Sequence, residues 1–250
     1  MKKRLDVILC EYSYFETREK AKRSIMAGNV IINDHAVTKA GTMFKEEDIK
    51  SIRIKEKLKY VSRGGLKLEG AIKAFDIDFR NKVVLDIGSS TGGFTDCSLQ
   101  NGASFVYSVD VGTNQLAYSL RNNDKVLSIE NMHINKLTCD MLINGKPDIV
   151  VTDVSFISLT KIADCIYSLS KDTSEAVLLI KPQFEVGREN IGKNGIVTDE
   201  HAREYAIENV VDCFKNLGYK VLGLTESPIK GTKGNVEYLI YLRKENNDSK

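Results

Sequence analysis

The sequence predicts an α/β protein with a Rossmann-like, mostly parallel sheet, preceded by a small α+β domain. From residue 82 onward, short apolar runs alternate with helical patterns, as expected for parallel strands joined by crossover helices. Residues 1–57 carry shorter, mixed patterns. Charge changes near the same point, because residues 1–67 hold 16 Lys and Arg against 9 Asp and Glu, while the remainder holds 20 against 25. We therefore expect domains at 1–57 and 65–250, joined by a linker at 58–64.

Composition restricts the class of protein. With 42% hydrophobic and 28% charged residues among 250, the chain is typical of soluble globular proteins. Its longest wholly apolar run, at 176–180, is far shorter than the ~20 residues of a membrane helix, and the start lacks a secretion signal. Five scattered cysteines without a CxxC pair argue against disulfide frameworks and zinc. The three histidines, at 35, 133 and 201, are too far apart to suggest a metal site, and we expect a cytoplasmic protein.

The N-terminal domain is predicted to begin with two helices. The first covers "KRLDVILCEYSYF", and the second covers "TREKAKRSIMAGN", with Thr17 as its N-cap and Gly28 as its stop. Short strands are predicted around "VIIND", "AVTK" and "IKSIRI". These pieces, in this order, resemble the alpha-L RNA-binding domain named after the fourth protein of the small ribosomal subunit.

The second helix has one basic and one apolar face. Arg18 and Lys22 lie one turn apart with Arg23 adjacent, whereas Ala21 and Ile25 face inward. A basic surface of this kind indicates a polyanion partner, most often nucleic acid, although a merely solvated surface is the alternative. The alpha-L resemblance implies that structured RNA is bound through phosphate contacts, which fix register rather than read sequence.

The second domain is predicted to contain five apolar strands followed by two final ones. Its long helix at 199–218 places an apolar stripe on one side before Gly218 ends it. The last two strands have only "PIKGTKG" between them, so we expect an antiparallel last strand to complete a seven-stranded sheet. The five preceding runs are "KVVLDIG", "SFVYSVD", "VLSIE", "DIVVTD" and "AVLLIKP".

A glycine-rich turn follows the first of these strands. In "VVLDIGSSTGGFTD" the strand ends at Asp86 and a glycine loop then leads into a helix, which lets the backbone approach a ligand closely. Asp110, at the tip of the second strand, stands where a Rossmann-like domain binds a ribose diol. A structural turn without any ligand is the competing interpretation.

The loop favours an adenosine cofactor without phosphates. Ser90 occupies the second glycine position of the dinucleotide motif, and no Walker lysine follows Gly93. S-adenosylmethionine fits, with its ribose at Asp110, its adenine near Asn131 and its methionine end at residues 88–92.

Four segments resemble one family of enzymes. "DIGSSTGGFTD", "YVSRGGLKL", "VTDVSFISL" and "IKPQFE" are similar to the TlyA family of ribosomal-RNA ribose methyltransferases, often called hemolysin A, whose catalytic domain is similar to the FtsJ type. Thr91 and Phe94 depart from the broader FtsJ pattern, which has proline and tryptophan there. The resemblance implies a methyltransferase fold and an S-adenosylmethionine-dependent rRNA (cytidine-2′-O)-methyltransferase acting on 16S or 23S rRNA, or both, as a monomer on free rRNA or an assembled subunit.

The resemblance also implies a catalytic set of Lys67, Asp153, Lys181 and Glu237. Lys181 would be the general base toward the ribose hydroxyl, Asp153 would orient it, and Lys67 with Glu237, which we place in the last strand, would position the ribose. The expected cofactor-binding residues are Asp86, Gly88, Ser89, Ser90, Thr91, Gly92, Phe94, Asp110, Asn131 and Asp153. The expected RNA-binding residues are Arg4, Arg18, Lys22, Arg23 and Arg63.

Other functions remain open at this point. Methylation of a base amino group normally shows an Asn/Asp-Pro-Pro-aromatic motif after the fourth strand, where this chain has "DVSF". Carbon-5 methylation needs a placed cysteine nucleophile, which is also lacking there. A membrane-lysing toxin is disfavoured by the lack of amphipathic or spanning apolar segments. An RNA-binding protein with an inactive methyltransferase domain is the last alternative.

Overall fold

The computed structural model describes residues 2–55 and 59–245. It divides into two units, Met1–Leu58 and Lys59–Lys250. This differs from the linker expected at 58–64, of which residue 58 lies outside the described residues. From Lys59 onward the segment belongs to the second unit, because the Tyr60 side chain is buried in its core and the Val61 backbone N–H donates to the Asp96 carboxylate at 2.8 Å.

The first unit contains two helices against short strands. The helix predicted from Thr17 is present, and the Thr17 hydroxyl accepts from the Lys20 backbone N–H at 3.3 Å. Residues 3 and 4, predicted as helical, form a strand instead, because they pair across the chain with Phe44 and Met43. The elements are β1 (Lys2–Arg4), α1 (Leu5–Glu11), α2 (Arg18–Met26), β2 (Val30–Ile32), β3 (His35–Val37), β4 (Met43–Lys45) and β5 (Ile52–Ile54).

These strands form two small antiparallel sheets. One pairs β1 with β4, and the other has the order β3-β2-β5. The helices cover a core in which every side chain is at most 2% exposed, made of Leu5, Leu9, Ala21, Ile25, Val30 and Ile32. The apolar face predicted for the second helix is therefore the face that packs.

The second unit is a seven-stranded sheet with helices between its parallel strands. Its strands are β6 (Val83–Ile87), β7 (Phe105–Val109), β8 (Val126–Ile129), β9 (Ile149–Thr152), β10 (Glu175–Ile180), β11 (Tyr219–Glu226) and β12 (Tyr238–Lys244). Its helices are α3 (Gly65–Phe75), α4 (Gly93–Gln100), α5 (Tyr118–Arg121), α6 (Ala163–Leu169), α7 (Pro182–Glu185) and α8 (Glu200–Asn216). The longest, α8, has 17 residues, and no helix in the described ranges is long and apolar enough to cross a bilayer.

The strand order is β11-β12-β10-β9-β6-β7-β8. Strands β6 to β10 pair in parallel, while β12 runs antiparallel between β10 and β11. The predicted mostly parallel sheet with an antiparallel last strand is confirmed. Both faces of the sheet are covered, since Leu85 and Ile87 enter one core cluster and Val84 the other. This explains why the parallel strands read as continuous apolar runs rather than as alternating ones.

Candidate active site

The sheet brings polar side chains to one edge. Asp153 directly follows β9 and Lys181 directly follows β10, and carboxyl ends of neighbouring parallel strands meet at the same edge. Because β12 is antiparallel to β10, Tyr238 pairs with Ile180, so the start of β12 lies at that edge as well. Glu237 is the residue immediately before β12, rather than within the strand as the sequence analysis placed it. Lys67 comes to the same place from the first turn of α3.

The four predicted catalytic side chains form a chain of alternating charge. The Nζ atom of Lys181 lies 2.7 Å from Oδ1 of Asp153, whose Oδ2 lies 3.8 Å from Nζ of Lys67. Lys67 in turn donates to Oε2 of Glu237 at 2.6 Å. Both lysines are only 7% exposed and Glu237 is 2% exposed. Buried charges are tolerated when they are paired, and here each ammonium has a carboxylate beside it.

Glycines shape the turn after β6. Gly88 has φ +80°, and a Cβ there would lie 3.0 Å from the Val154 side chain and 3.2 Å from the Asp153 carbonyl oxygen. Gly92 has φ +95°, and a Cβ there would collide with Leu116 and Leu120. Gly92 is therefore needed for packing and does not line the cavities at this edge, although we predicted a cofactor contact for it.

Asp86 is a buried carboxylate with one oxygen available to accept a hydrogen bond. It is fully buried, and the Thr95 hydroxyl donates to its Oδ2 at 2.7 Å. Its Oδ1 has no hydrogen-bond partner within residues 2–55 and 59–245. Burial raises the pKa of Asp86 to about 7. An unsatisfied carboxylate oxygen in a residue that lines a cavity fits a cationic ligand group.

Asp110 is fixed by the glycine loop. Its Oδ2 accepts from the Ser90 backbone N–H at 2.8 Å and its Oδ1 from the Gly112 backbone N–H at 2.7 Å. Each carboxylate oxygen retains a further lone pair, so the side chain can also accept from a diol. The glycine loop and the end of the second strand are thus joined by a direct hydrogen bond.

Three adjoining cavities open along this edge. The first, about 400 Å³, is lined by Asp86, the loop residues Gly88 to Thr91, Phe94, Arg63 and the four catalytic candidates. The second, about 340 Å³, is lined by Gly88, Ser90, Asp110 and Asp153 on its polar side. The third, about 360 Å³, lies beside Lys181 and Glu237. The first and second cavities therefore share Gly88, Ser90 and Asp153, and the first and third share Lys181 and Glu237.

Asn131 is placed differently from its prediction. It is exposed and adopts φ +52°, with its backbone N–H bonded to the Gly112 carbonyl oxygen at 3.0 Å. The next two residues, Met132 and His133, line the second cavity instead. The sequence signal was the turn after the third strand, and it located the segment but not the side chain that faces the cavity.

Ser155 was missed by the sequence analysis. Its Oγ accepts from Lys181 Nζ at 2.8 Å, beside the contact to Asp153. The only signal in the sequence is its position two residues after Asp153. Among the described residues, no group of three or more His, Cys, Asp or Glu side chains is arranged to hold a metal ion.

The predicted RNA-binding residues of the first unit are not equivalent. Arg4 and Arg18 both bond the buried Asp6 carboxylate, at 2.9 and 3.0 Å, and lower its pKa although burial opposes this. Lys22 pairs with Glu19 at 2.8 Å, and Arg23 is exposed. In the second unit, Arg63 is exposed at the first cavity.

Comparisons with known proteins agree with both units. The family model described as FtsJ-like methyltransferase matches residues 60–244, and the S4 domain model matches residues 3–50. Hemolysin A of Brachyspira hyodysenteriae is 45% identical over 238 residues, covering 95% of this chain and 98% of that protein. The 16S/23S rRNA (cytidine-2′-O)-methyltransferase TlyA of Mycobacterium tuberculosis is 37% identical over 240 residues, covering 96% and 89%.

A solved structure is similar over nearly the whole chain. A protein provisionally described as a hemolysin from Streptococcus thermophilus superposes with a TM-score of 0.75 at 44% identity, covering 98% of this chain and 91% of that one. The resemblance stated from the sequence motifs is confirmed over nearly the whole length.

Asp86 predicts a pH-dependent stability difference. The pKa of Asp86 is raised in the folded protein above its ordinary value near 4, so the folded state binds the proton more tightly than the unfolded state does. The stability that this proton provides is fully present below about pH 4 and is lost as pH rises through about 7. Asp86→Asn removes this dependence. The free energy of unfolding of the variant, relative to the unmodified protein, should therefore rise by about 1 kcal/mol per pH unit between pH 5 and 7.

Urea denaturation at pH 5, 6 and 7 measures this difference. Asp78→Asn is the matched control, because Arg80 holds the pKa of Asp78 at about 2, below the tested range. A pH-independent difference for Asp86→Asn would show that Asp86 does not titrate there.

Proposed function

The chain belongs to the FtsJ-like methyltransferase family, and we propose from this that it methylates the 2′-hydroxyl of a cytidine ribose in ribosomal RNA with S-adenosylmethionine as donor. The observation that carries the proposal is the chain of Lys67, Asp153, Lys181 and Glu237, all but Asp153 buried, at the edge where the glycine loop also lies. The ribose target is supported by the name of the TlyA relative, which specifies cytidine 2′-O-methylation of 16S and 23S rRNA. Mapping 2′-O-methyl marks on 16S and 23S rRNA from cells with and without the gene identifies the modified rRNA.

The residues at the glycine loop suit this cofactor. The free Oδ1 of Asp86 fits an ammonium group such as that of the methionine end, and Asp110 fits the ribose diol. Met132 and His133 line the second cavity and would provide an apolar and aromatic surface for the adenine. When bound, S-adenosylmethionine supplies a methyl group on a positively charged sulfur, which leaves as a neutral thioether.

Residues of this chain would remove the proton of the ribose 2′-hydroxyl. A ribose hydroxyl is a poor nucleophile until its proton is removed, and a neutral lysine amine within hydrogen-bond reach can accept that proton. We assign this role to Lys181, which lines the first and third cavities. Asp153 holds the amine, and the Lys67–Glu237 pair offers a donor and an acceptor for the ribose.

The S4 domain supplies the RNA contact in this proposal. The Arg4 and Arg18 side chains are partly exposed, at 44% and 54%, while Asp6 holds their guanidinium groups in place. With Lys22 and Arg23 they would contact phosphates, and Arg63 would contact phosphate close to the target nucleotide. We further propose that the protein acts as a monomer in the cytoplasm, on free rRNA or an assembled subunit. The cytoplasmic location is supported by its five cysteines, which are unbridged thiols in the described structure.

Lys181→Ala tests the assignment of the base. Turnover should fall at least ~10²-fold, because proton removal from the ribose is lost, while the dissociation constant for S-adenosylmethionine should change little. Methyl transfer to an rRNA fragment and calorimetric titration with the cofactor measure the two quantities. Lys73→Ala is the control, since Lys73 is 72% exposed on the same helix as Lys67. Near-normal turnover in Lys181→Ala would remove Lys181 from the mechanism, and absence of cofactor binding by the unmodified protein would favour an inactive methyltransferase domain.

Arg23→Ala tests the RNA surface. Losing one phosphate contact should weaken binding of an rRNA fragment several-fold and reduce the slope of log affinity against log salt by roughly 1. Affinity for S-adenosylmethionine should not change. Arg80→Ala is the control, because Arg80 is an exposed arginine of the second unit paired with Asp78. An unaltered salt slope would exclude Arg23 from the interface.

A further inference from the structure

Ser155 lies where three cavities meet. It is exposed, and it lines the cavity of the glycine loop, the cavity of Asp110 and the cavity beside Glu237. Its hydroxyl is therefore at the junction where the donor and the substrate of the proposed reaction would approach each other. An exposed serine usually hydrogen-bonds to water or backbone, but this one is bonded to a buried lysine.

The bonding of Lys181 explains what this hydroxyl does. A lysine amine has three tetrahedral positions besides its bond to carbon. One N–H is donated to Ser155 Oγ at 2.8 Å, and Asp153 Oδ1 lies 2.7 Å from Nζ as an ion-pair partner. Lys181 also lines the first and third cavities. In the neutral amine, the negative carboxylate repels the lone pair and Ser155 takes one N–H, so the remaining direction, toward the cavities, is favoured for the lone pair.

We propose that Ser155 is a positioning residue for Lys181, which fixes the direction of the amine lone pair toward the ribose hydroxyl. The Asp153 carboxylate alone would only keep the lone pair away from its own side, which leaves two positions open to the lone pair. The Ser155 hydroxyl accepts an N–H at one of these two, so a single direction remains for the lone pair. This inference rests on the proposed function, in which Lys181 accepts the proton of the 2′-hydroxyl.

The surrounding loop holds Ser155 in place. The Glu185 carboxylate accepts from the Ser158 hydroxyl at 2.6 Å and from the Leu159 backbone N–H at 2.9 Å. Glu185 ends the short helix that begins directly after Lys181. A closed ring results, which runs from Lys181 through α7 to Glu185, across to Ser158, back along the chain to Ser155, and across to Lys181.

The backbone inside this ring is constrained as well. Phe156 adopts φ +65°, a conformation that non-glycine residues seldom occupy. Such a conformation persists where the surroundings hold it, and the Glu185 hydrogen bonds supply that restraint on one side. The loop that carries Ser155 is thus restrained, and this restraint holds the Ser155 side chain beside Lys181.

Substitutions at Ser155 test the proposal. Ser155→Ala and Ser155→Cys remove or weaken the acceptor and should lower kcat about tenfold, whereas KM for RNA and affinity for S-adenosylmethionine should stay within twofold. Ser155→Thr retains the hydroxyl and should recover most of the activity. Ser104→Ala, an exposed serine outside the three cavities, is the matched control and should behave as the unmodified protein.

The double variant Lys181→Ala/Ser155→Ala identifies the route of the effect. If Ser155 acts through Lys181, the double variant should be no slower than Lys181→Ala alone. An additional tenfold loss in the double variant, or an unchanged kcat in both Ser155→Ala and Ser155→Cys, would overturn this inference. If the unmodified protein transfers no methyl group to rRNA, the proposed function fails instead, which is a different outcome.

Discussion

Two ammonium groups and two carboxylates share one largely buried edge of the sheet, and each charge is tolerated because an opposite charge lies beside it. Each of the four charged groups therefore depends on its neighbours in the set. Asp153 contacts both lysines, so it links the Lys181 side to the Lys67–Glu237 side. Removing one member would leave a partner buried without compensation, a larger loss than that of a surface ion pair. The structure around the set must therefore deliver all four side chains together.

The order and direction of the strands bring these four side chains to one edge of the sheet. In a wholly parallel sheet, the residue preceding a strand would lie at the opposite edge from the residues that follow its neighbours. Reversal of β12 brings Glu237, which precedes its strand, level with Lys181, which follows β10. The connection that permits this reversal passes close to the site, since a methyl group on Gly231 would collide with the Glu237 carboxylate. The antiparallel last strand is thus a requirement of the charge arrangement as well as of the fold.

The sequence predicted the strands of the second unit well because strands buried on both faces read as continuous apolar runs. It could not predict β1 and β4, since two three-residue strands pair only through contacts some 40 residues apart. The candidate catalytic lysines and acids could be predicted only through resemblance, because each is a common residue type and Lys67 and Glu237 meet across 170 positions. Ser155 and the lining role of Met132 and His133 depend on which way a side chain faces at a loop, and no periodic pattern records that.

The first unit also pairs a buried charge with opposite charges, but there the partners of the buried group remain at the surface. Asp6 is wholly buried, yet the Arg4 and Arg18 side chains that pair with it stay about half exposed. Its negative charge cancels part of theirs, which weakens long-range attraction for a polyanion. In return the two guanidinium groups are held in fixed orientations, so less side-chain entropy is lost when they contact phosphate. A surface built this way favours one docking geometry over non-specific binding to polyanions, which suits the proposed transfer of a methyl group to a single ribose.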